Sequence, residues 1–207
     1  MNLLKKLFRR TPERTRPYCA ALIAAAGSST RYGGENKLLQ ELGGMPVLAR
    51  TLLAVDRAES IDEIVIAARE DELLTYAQLC KTFDLQKPVK VVLGGATRTE
   101  SVLRAACEAS PEAALLAVQD GARPLVTSAL IDEVVLAAQQ YHAAAPAIPV
   151  TDTVKVAVNS VVESTPERSK LFAVQTPQVF DAELLKAALQ DALRANAALT
   201  DDCSAVE

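Results

Sequence analysis

The chain has 207 residues, half of them hydrophobic, and a formal net charge of −4 at pH 7. This length and apolar content are enough for one sizeable core and favour a single domain. The net negative charge excludes an overall basic surface for nucleic acid, so an anionic ligand must be held by a local group of cations. No apolar run reaches the roughly 20 residues of a membrane span and no signal-peptide pattern is present, so we expect a cytoplasmic protein.

Residues 1–17 form a basic segment ahead of the first predicted strand. The segment carries Lys5, Lys6, Arg9, Arg10, Arg14 and Arg16 around a few leucines and one phenylalanine. We expect a solvated tail without stable structure. A short amphipathic helix on an anionic membrane surface is the alternative.

From residue 18 onwards, short β-rich runs alternate with longer helical patterns, which is typical of βαβ units. Aromatic residues make up only 4% of the chain, and a composition dominated by Ala, Val and Leu suits helices packed on a buried sheet. We therefore predict an α/β domain over residues 18–207. The predicted strands cover residues 19–25, 64–68, 89–93, 114–119, 147–158 and 171–174, and the predicted helices begin near residues 47, 71, 98, 128 and 181.

The alternation of strands and helices changes after residue 147. The strands predicted at 147–158 and 171–174 have no helix between them, and a polar stretch at 159–170 joins them. We predict that this region, over about residues 153–172, forms a protruding β-arm. Such an arm is suited to contact with a partner subunit.

The loop after the first predicted strand is rich in small residues and ends in cations. Ala25, Ala26 and Gly27 allow close approach of the backbone to a triphosphate, and Arg31 and Lys37 supply positive charge for its oxygens. The loop matches neither the Walker pattern nor the dinucleotide fingerprint. An ordinary turn between a strand and a helix explains the same residues.

Two further loops follow predicted strands and so lie at the same edge of the sheet, where open α/β folds bind ligands. Asp120 at the end of one strand is a candidate Mg²⁺ ligand, and Arg123 a candidate contact for an anionic acceptor. In the other loop, glycines that include Gly95 allow close approach to a base, and Ser101 is a candidate donor. The alternatives are a helix-capping Asp–Arg pair and an ordinary helix start capped by Thr97.

Taken together and in this order, the loops resemble the 2-C-methyl-D-erythritol 4-phosphate cytidylyltransferase family, which belongs to the nucleotidyltransferases. The resemblance begins near residue 18 and covers the rest of the chain. Asn36-Lys37 stands where the family usually has Pro-Lys. The matching segments are Ala-Ala-Gly-Ser-Ser-Thr-Arg from Ala25, Gly-Gly-Ala-Thr-Arg-Thr-Glu-Ser-Val from Gly94, Asp-Gly-Ala-Arg-Pro from Asp120, Pro-Val-Thr-Asp-Thr-Val-Lys from Pro149, Gln-Thr-Pro-Gln from Gln175 and Thr-Asp-Asp from Thr200.

The resemblance implies a Rossmann-like, mostly parallel sheet flanked by helices, and two subunits paired through the arm. It implies transfer of CMP from CTP to methylerythritol phosphate, with release of pyrophosphate, in isoprenoid precursor synthesis. The residues that it implies are Ala25, Ala26, Gly27, Gly95 and Ser101 for the nucleotide, Arg31, Lys37 and Arg168 for catalysis, Arg123, Thr153 and Thr200 for the phosphorylated polyol, and Asp120 for Mg²⁺.

Two alternatives remain open at the level of sequence. Ribitol 5-phosphate, the acceptor of related cytidylyltransferases, is compatible with the same loops. The family also continues past Thr-Asp-Asp into a strand with an Asn-Ile-Lys-Val type motif, whose acid completes the metal site, whereas this sequence ends at Glu207. We interpret the chain as a fragment without the final strand and helix; the alternative is a truncated, non-catalytic nucleotide-binding protein.

Overall fold

The computed structural model describes residues 16–27 and 36–207. The predictions for residues 1–15 and for Arg31 lie outside the described residues. Within residues 16–27 and 36–207, the strands are β1 (Tyr18–Ala24), β2 (Glu63–Ala68), β3 (Val89–Leu93), β4 (Ala113–Asp120), β5 (Ala143–Ala144), β6 (Ala147–Pro149), β7 (Val156–Val158), β8 (Val161–Ser164), β9 (Phe172–Val174) and β10 (Gln178–Asp181). The helices are α1 (Val47–Arg57), α2 (Leu73–Thr82), α3 (Arg98–Glu108), α4 (Ser128–Tyr141), α5 (Ala182–Arg194) and α6 (Cys203–Val206).

The central sheet has six strands in the order β3-β2-β1-β4-β10-β5. The first four strands are parallel, whereas β10 is antiparallel to both of its neighbours. The predicted α/β class with a mostly parallel, Rossmann-like sheet is confirmed. The short strand β10 was not predicted, because its two apolar residues directly precede the helix that Asp181 caps.

Helices cover both faces of this sheet, so its central strand β1 has no charged residue along its length. Cys19, Ala21 and Ile23 of β1 pack with α1, α2 and α4 on one face. Ala20 and Leu22 pack with α3 and α5 on the other face. None of the helices in the described ranges is long and apolar enough to cross a membrane.

The helices that follow β3 and β4 begin at threonine caps. The Thr97 side chain accepts a hydrogen bond from Glu100 N at 3.1 Å, and Thr127 accepts one from Leu130 N at 3.2 Å. Each bond satisfies one of the backbone N–H groups left open in a first helical turn. The caps therefore fix the starts of α3 and α4 just beyond the carboxyl ends of their strands.

The arm consists of two small antiparallel sheets, β6 with β9 and β7 with β8. Strand β8 lies inside the stretch predicted as a loop. The turn between β7 and β8 places Asn159 and Ser160 at φ +50° and +64°, as a two-residue hairpin turn requires. The arm leaves eight large apolar side chains exposed: Ile148, Val154, Val156, Val158, Val161, Val162, Phe172 and Val174.

Arg16, which the sequence placed in the basic tail, is attached to the domain. Its guanidinium donates to both carboxylate oxygens of Asp62, at 2.8 and 2.9 Å, and to Ser60 O at 2.9 Å. A paired, bidentate contact of this kind fixes the plane of the guanidinium. The chain is thus held in place just before it enters β1.

Candidate functional site

A cleft of about 730 Å³ lies at the carboxyl edge of the parallel strands. Loops that are far apart in sequence form its walls, because parallel strands end at the same edge of a sheet. The cleft brings together nine of the residues singled out in the sequence: Ala25, Ala26, Gly27, Lys37, Gly95, Ser101, Asp120, Arg123 and Thr200.

The loops after β1 and β3 touch each other in one wall of this cleft. Gly94 N donates to Ala68 O at 2.8 Å, and Ala25 N donates to Ala67 O at 3.0 Å, so both loops are hydrogen-bonded to the end of β2. A Cβ atom on Gly94 would lie 2.5 Å from the Cβ of Ala26. Such a contact is impossible without movement, and glycine is therefore required for the two loops to meet.

Ser101 shapes the loop that precedes α3. Its side chain is buried, and its hydroxyl accepts from Gly95 N at 3.0 Å and donates to Thr97 O at 2.8 Å. These two bonds fold the Gly95–Thr97 segment over the start of the helix. The Ser101 hydroxyl thus holds the loop that lines the cleft.

Asp120 lies at the end of β4 between two arginines. One carboxylate oxygen accepts from Arg98 Nη2 at 3.2 Å, and the other accepts from Arg123 Nε at 3.0 Å. The backbone N–H of Asp120 donates to the hydroxyl of Thr176 at 3.3 Å. Both the strand end and the carboxylate plane are therefore fixed.

Arg98 also binds Asp202, and the sequence did not identify this pair. The second guanidinium nitrogen of Arg98 lies 2.7 Å from a carboxylate oxygen of Asp202, whose side chain is buried. Burial raises the pKa of Asp202, and the Arg98 charge opposes that rise. Arg98 lies in the first turn of α3, where a positive charge is unfavourable because of the helix dipole. This unfavourable position was the sign available in the sequence that Arg98 has an acidic partner.

Gln178 holds the turn that presents Thr200 to the cleft. Its side-chain oxygen accepts from the backbone N–H groups of Asp202 and Cys203, both at 3.0 Å, and its amide donates to Asp201 at 2.9 Å. Gln178 is itself buried. Its role was missed because its partners lie more than twenty residues further along the chain.

Thr153, predicted to contact the polyol, and Arg168, predicted to take part in catalysis, do not line this cleft in the described chain. Both are exposed on the arm, where Arg168 Nη1 donates to Thr151 O at 2.9 Å. Thr153 lies in the segment between β6 and β7, and Arg168 begins a short 3-10 helix between β8 and β9, so both belong to the arm and not to the loops of the central sheet.

A mostly parallel sheet with a cleft at its carboxyl edge, lined by a glycine loop, cations and one acid, is typical of α/β proteins that bind nucleotides. Residues 19–207 match the family model described as 2-C-methyl-D-erythritol 4-phosphate cytidylyltransferase (IspD). The chain belongs to this family.

Curated relatives and solved structures agree with this assignment. The chain is 40% identical over 187 residues to the 2-C-methyl-D-erythritol 4-phosphate cytidylyltransferase of Bacillus cytotoxicus, covering 90% of this chain and 82% of that protein. It is 41% identical over 192 residues to that of Caldanaerobacter subterraneus, covering 91% and 84%. Its fold is similar to 4-diphosphocytidyl-2C-methyl-D-erythritol synthase from Anaerococcus prevotii, with a TM-score of 0.82 and 30% identity over 91% of this chain and 82% of that chain.

Proposed function

We propose that this chain transfers the cytidylyl group of CTP to 2-C-methyl-D-erythritol 4-phosphate and releases pyrophosphate, as a step of isoprenoid precursor biosynthesis. The observation that carries the proposal is one cleft lined by Lys37, Asp120, Arg123 and Thr200 together with the Gly94-Gly95 loop. Relatives about 40% identical carry the name of this activity. A cytoplasmic location, expected from the sequence, is part of the proposal.

The nucleotide half of the site is assigned to the loops that meet at Gly94. The backbone of residues 25–27 and Gly95 would contact CTP, with the Ser101 hydroxyl holding the second loop in place. Arg31 and Lys37 would neutralise the triphosphate as negative charge develops during transfer. Fixed cations of this kind stabilise the transition state without having to reorganise.

The acceptor half is assigned to Arg123 and Thr200, which line the same cleft. These residues would orient the acceptor phosphate for in-line attack on the α-phosphorus. No covalent intermediate with the protein is needed, because the acceptor phosphate is already an anionic nucleophile. Positioning and charge stabilisation then account for the rate.

Asp120 fits the role of a Mg²⁺ ligand. Mg²⁺ sites on nucleotides commonly use one or two carboxylates together with phosphate oxygens. Asp120 is a partly exposed carboxylate that lines the cleft, and each of its oxygens accepts one hydrogen bond from an arginine and keeps further lone-pair capacity for an ion. Among residues 16–27 and 36–207, no group of three or more His, Cys, Asp or Glu side chains forms a complete protein site. When bound, the ion would screen negative charge on the phosphates.

A homodimer formed through the arm is also part of the proposal. The eight exposed apolar side chains of the arm make up the kind of surface that marks a protein interface. In such a dimer, the arm of one subunit would bring its Thr153 and Arg168 to the cleft of the other. This arrangement accounts for their position away from the cleft of their own chain.

The activity is tested by incubating the purified protein with CTP, Mg²⁺ and one of two acceptors while pyrophosphate release is measured. We expect release with methylerythritol phosphate. Release with ribitol 5-phosphate alone would contradict the proposed acceptor. CTP binding without release in either mixture would indicate the non-catalytic alternative.

A further inference from the structure

Asn36, which precedes the cleft-lining Lys37, is bound through its side chain to a polar cluster. Its amide nitrogen donates to a carboxylate oxygen of Glu72 and, at 3.0 Å, to the hydroxyl of Tyr76. Arg69 donates to the same carboxylate oxygen of Glu72 at 2.8 Å. We refer to Asn36, Arg69, Glu72 and Tyr76 as the Asn36 cluster.

Glu72 and Tyr76 form the buried centre of the Asn36 cluster, and both oxygens of Glu72 accept hydrogen bonds. The Glu72 side chain is 8% exposed, and Tyr76 is completely buried and donates to the second oxygen of Glu72 at 2.8 Å. Burial raises the pKa of Tyr76, so its hydroxyl stays a donor at neutral pH. The two oxygens of Glu72 accept from Asn36, Arg69 and Tyr76, which makes Glu72 a fixed acceptor for Asn36.

Asn36 also fixes the backbone on both sides of Lys37. Its side-chain oxygen accepts from Leu38 N at 2.9 Å, a bond that spans Lys37. Leu38 is buried in the core, and its carbonyl accepts from Leu48 N at 2.9 Å at the start of α1. The Cα atom of Lys37 is thereby held between a side-chain bond and a core residue, in the manner of an Asx turn.

The Asn36 cluster is attached to the same strand end as the two loops of the cleft wall. Arg69 directly follows β2, whose last two carbonyls accept from Ala25 N and Gly94 N. The position of Lys37 is therefore set relative to the loops assigned to the nucleotide.

We infer that Asn36 is a positioning residue: the buried Glu72–Tyr76 pair holds Asn36, and Asn36 holds Lys37 so that its ammonium faces a triphosphate bound on the two loops. The inference rests on the proposed function, because it takes a nucleoside triphosphate as the ligand. A lysine has a long flexible stem, so fixing its Cα reduces the orientations that compete with the productive one.

A double-mutant cycle between Asn36→Ala and Lys37→Ala tests the coupling. We expect Asn36→Ala to lower kcat/KM for CTP about tenfold, mainly through kcat, and to have less than about a twofold effect when Lys37 is already alanine. Asp191→Asn is the control, because the exposed Asp191 pairs with Arg194 on α5, which packs on the opposite face of the sheet from the Asn36 cluster. Its kcat/KM should match the wild type. Equal effects of Asn36→Ala in both backgrounds would overturn the inference.

A second test exchanges the donor and the acceptor of the hydrogen bond between residues 36 and 72. Asn36→Asp keeps the acceptor for Leu38 N, loses the donor, and places a second carboxylate against Glu72. Adding Glu72→Gln supplies an amide donor at position 72 and leaves a single carboxylate, at position 36. We therefore expect the double variant to recover most of the loss in kcat/KM. Equal kcat/KM values for the single and double variants, with thermal unfolding midpoints like the wild type, would overturn the inference.

The two proposals fail in different ways. A wild-type protein that neither binds nor turns over CTP contradicts the proposed function before any variant is compared, and the inference falls with it. A wild-type protein that turns over CTP, combined with an additive cycle, contradicts the role of Asn36 alone.

Discussion

The guanidinium of Arg98 lies between two carboxylates, 2.7 Å from the buried Asp202 and 3.2 Å from Asp120. It joins the start of α3 to the end of β4 and to the turn before α6. Burial alone would lower the pKa of Arg98, but the charges of Asp202 and Asp120 outweigh it and raise the pKa. Arg98 is therefore charged at neutral pH, and it compensates the buried acid.

Replacing Arg98 with methionine is predicted to destabilise the protein more at neutral pH than in acid. Burial raises the pKa of Asp202, and loss of the Arg98 charge raises it further. A carboxyl group with a raised folded-state pKa contributes stability below its unfolded-state pKa and loses it as the pH rises through the folded-state value. We expect a loss of about 2 kcal/mol at neutral pH, less than for a fully buried pair because Arg98 is partly exposed.

This prediction is checked by urea unfolding of wild type and Arg98→Met at about pH 5 and about pH 8. Arg194→Met is the control, because Arg194 forms an exposed pair with Asp191. The difference in unfolding free energy from the wild type should widen with pH for Arg98→Met only. A difference that stays constant or narrows would contradict the electrostatic account of the Arg98–Asp202 pair.

Gly94→Ala is predicted to weaken CTP binding, because the new methyl group would overlap the Cβ of Ala26. Moving either loop displaces backbone groups assigned to the nucleotide. We expect the Kd for CTP, measured by calorimetry, to rise about tenfold or more. Combining Gly94→Ala with Ala26→Gly removes the overlap and should restore part of the affinity. An unchanged Kd for Gly94→Ala would show that the contact between the loops does not matter for binding.

Removal of divalent cations is predicted to abolish pyrophosphate release, with recovery on adding Mg²⁺. Asp120→Asn should lower kcat/KM by about 10² and raise the Mg²⁺ concentration needed for half-maximal rate. Asp191→Asn serves as the control, because Asp191 is exposed on α5. Full turnover in the presence of a chelator would rule out the proposed role of Mg²⁺.

The arm is predicted to form the contact between two subunits. Val158→Asp with Val161→Asp adds charge to its exposed apolar surface and should shift the protein towards a monomer in sedimentation experiments. Leu136→Asp, at an exposed position on α4, should not. Mixing and reassembling Lys37→Ala and Arg168→Ala subunits should recover about one quarter of wild-type activity if sites are shared between subunits. No recovery from subunits shown to have exchanged would place both residues in a site of one chain.

Elements with uninterrupted local patterns were predictable from the sequence. Strand 89–93 was predicted with the bounds that the structure has, and the helix after β4 was predicted to begin at residue 128, where it does begin, because each is a clear apolar or amphipathic run with a distinct start. Strands β8 and β10 were missed because they have four residues each and lie in polar or capping sequence. Their pairing partners supply the structure, and local propensity does not indicate them.

The residues of the candidate site also divide into those that a local pattern predicts and those that it does not. The rule that parallel strands end at a common edge predicts that Gly95, Asp120 and residues 25–27 approach one another. The roles of Arg98, Gln178 and Asn36 depend on partners that lie more than twenty residues further along the chain, and no periodic pattern encodes such pairs. Thr153 and Arg168 came only from the resemblance, and their contribution to catalysis stays a prediction.

The most direct test of the account is ³¹P NMR of a mixture of CTP, Mg²⁺, methylerythritol phosphate and the purified protein. The account predicts two new coupled resonances of a diphosphate ester that links CMP to methylerythritol phosphate, with an equal amount of pyrophosphate. The rates at which the diphosphate ester and pyrophosphate form should both fall by about 10² with Lys37→Ala. Hydrolysis of CTP without a new diphosphate ester, or no reaction of the wild type, would contradict the assignment of cytidylyl transfer to this cleft.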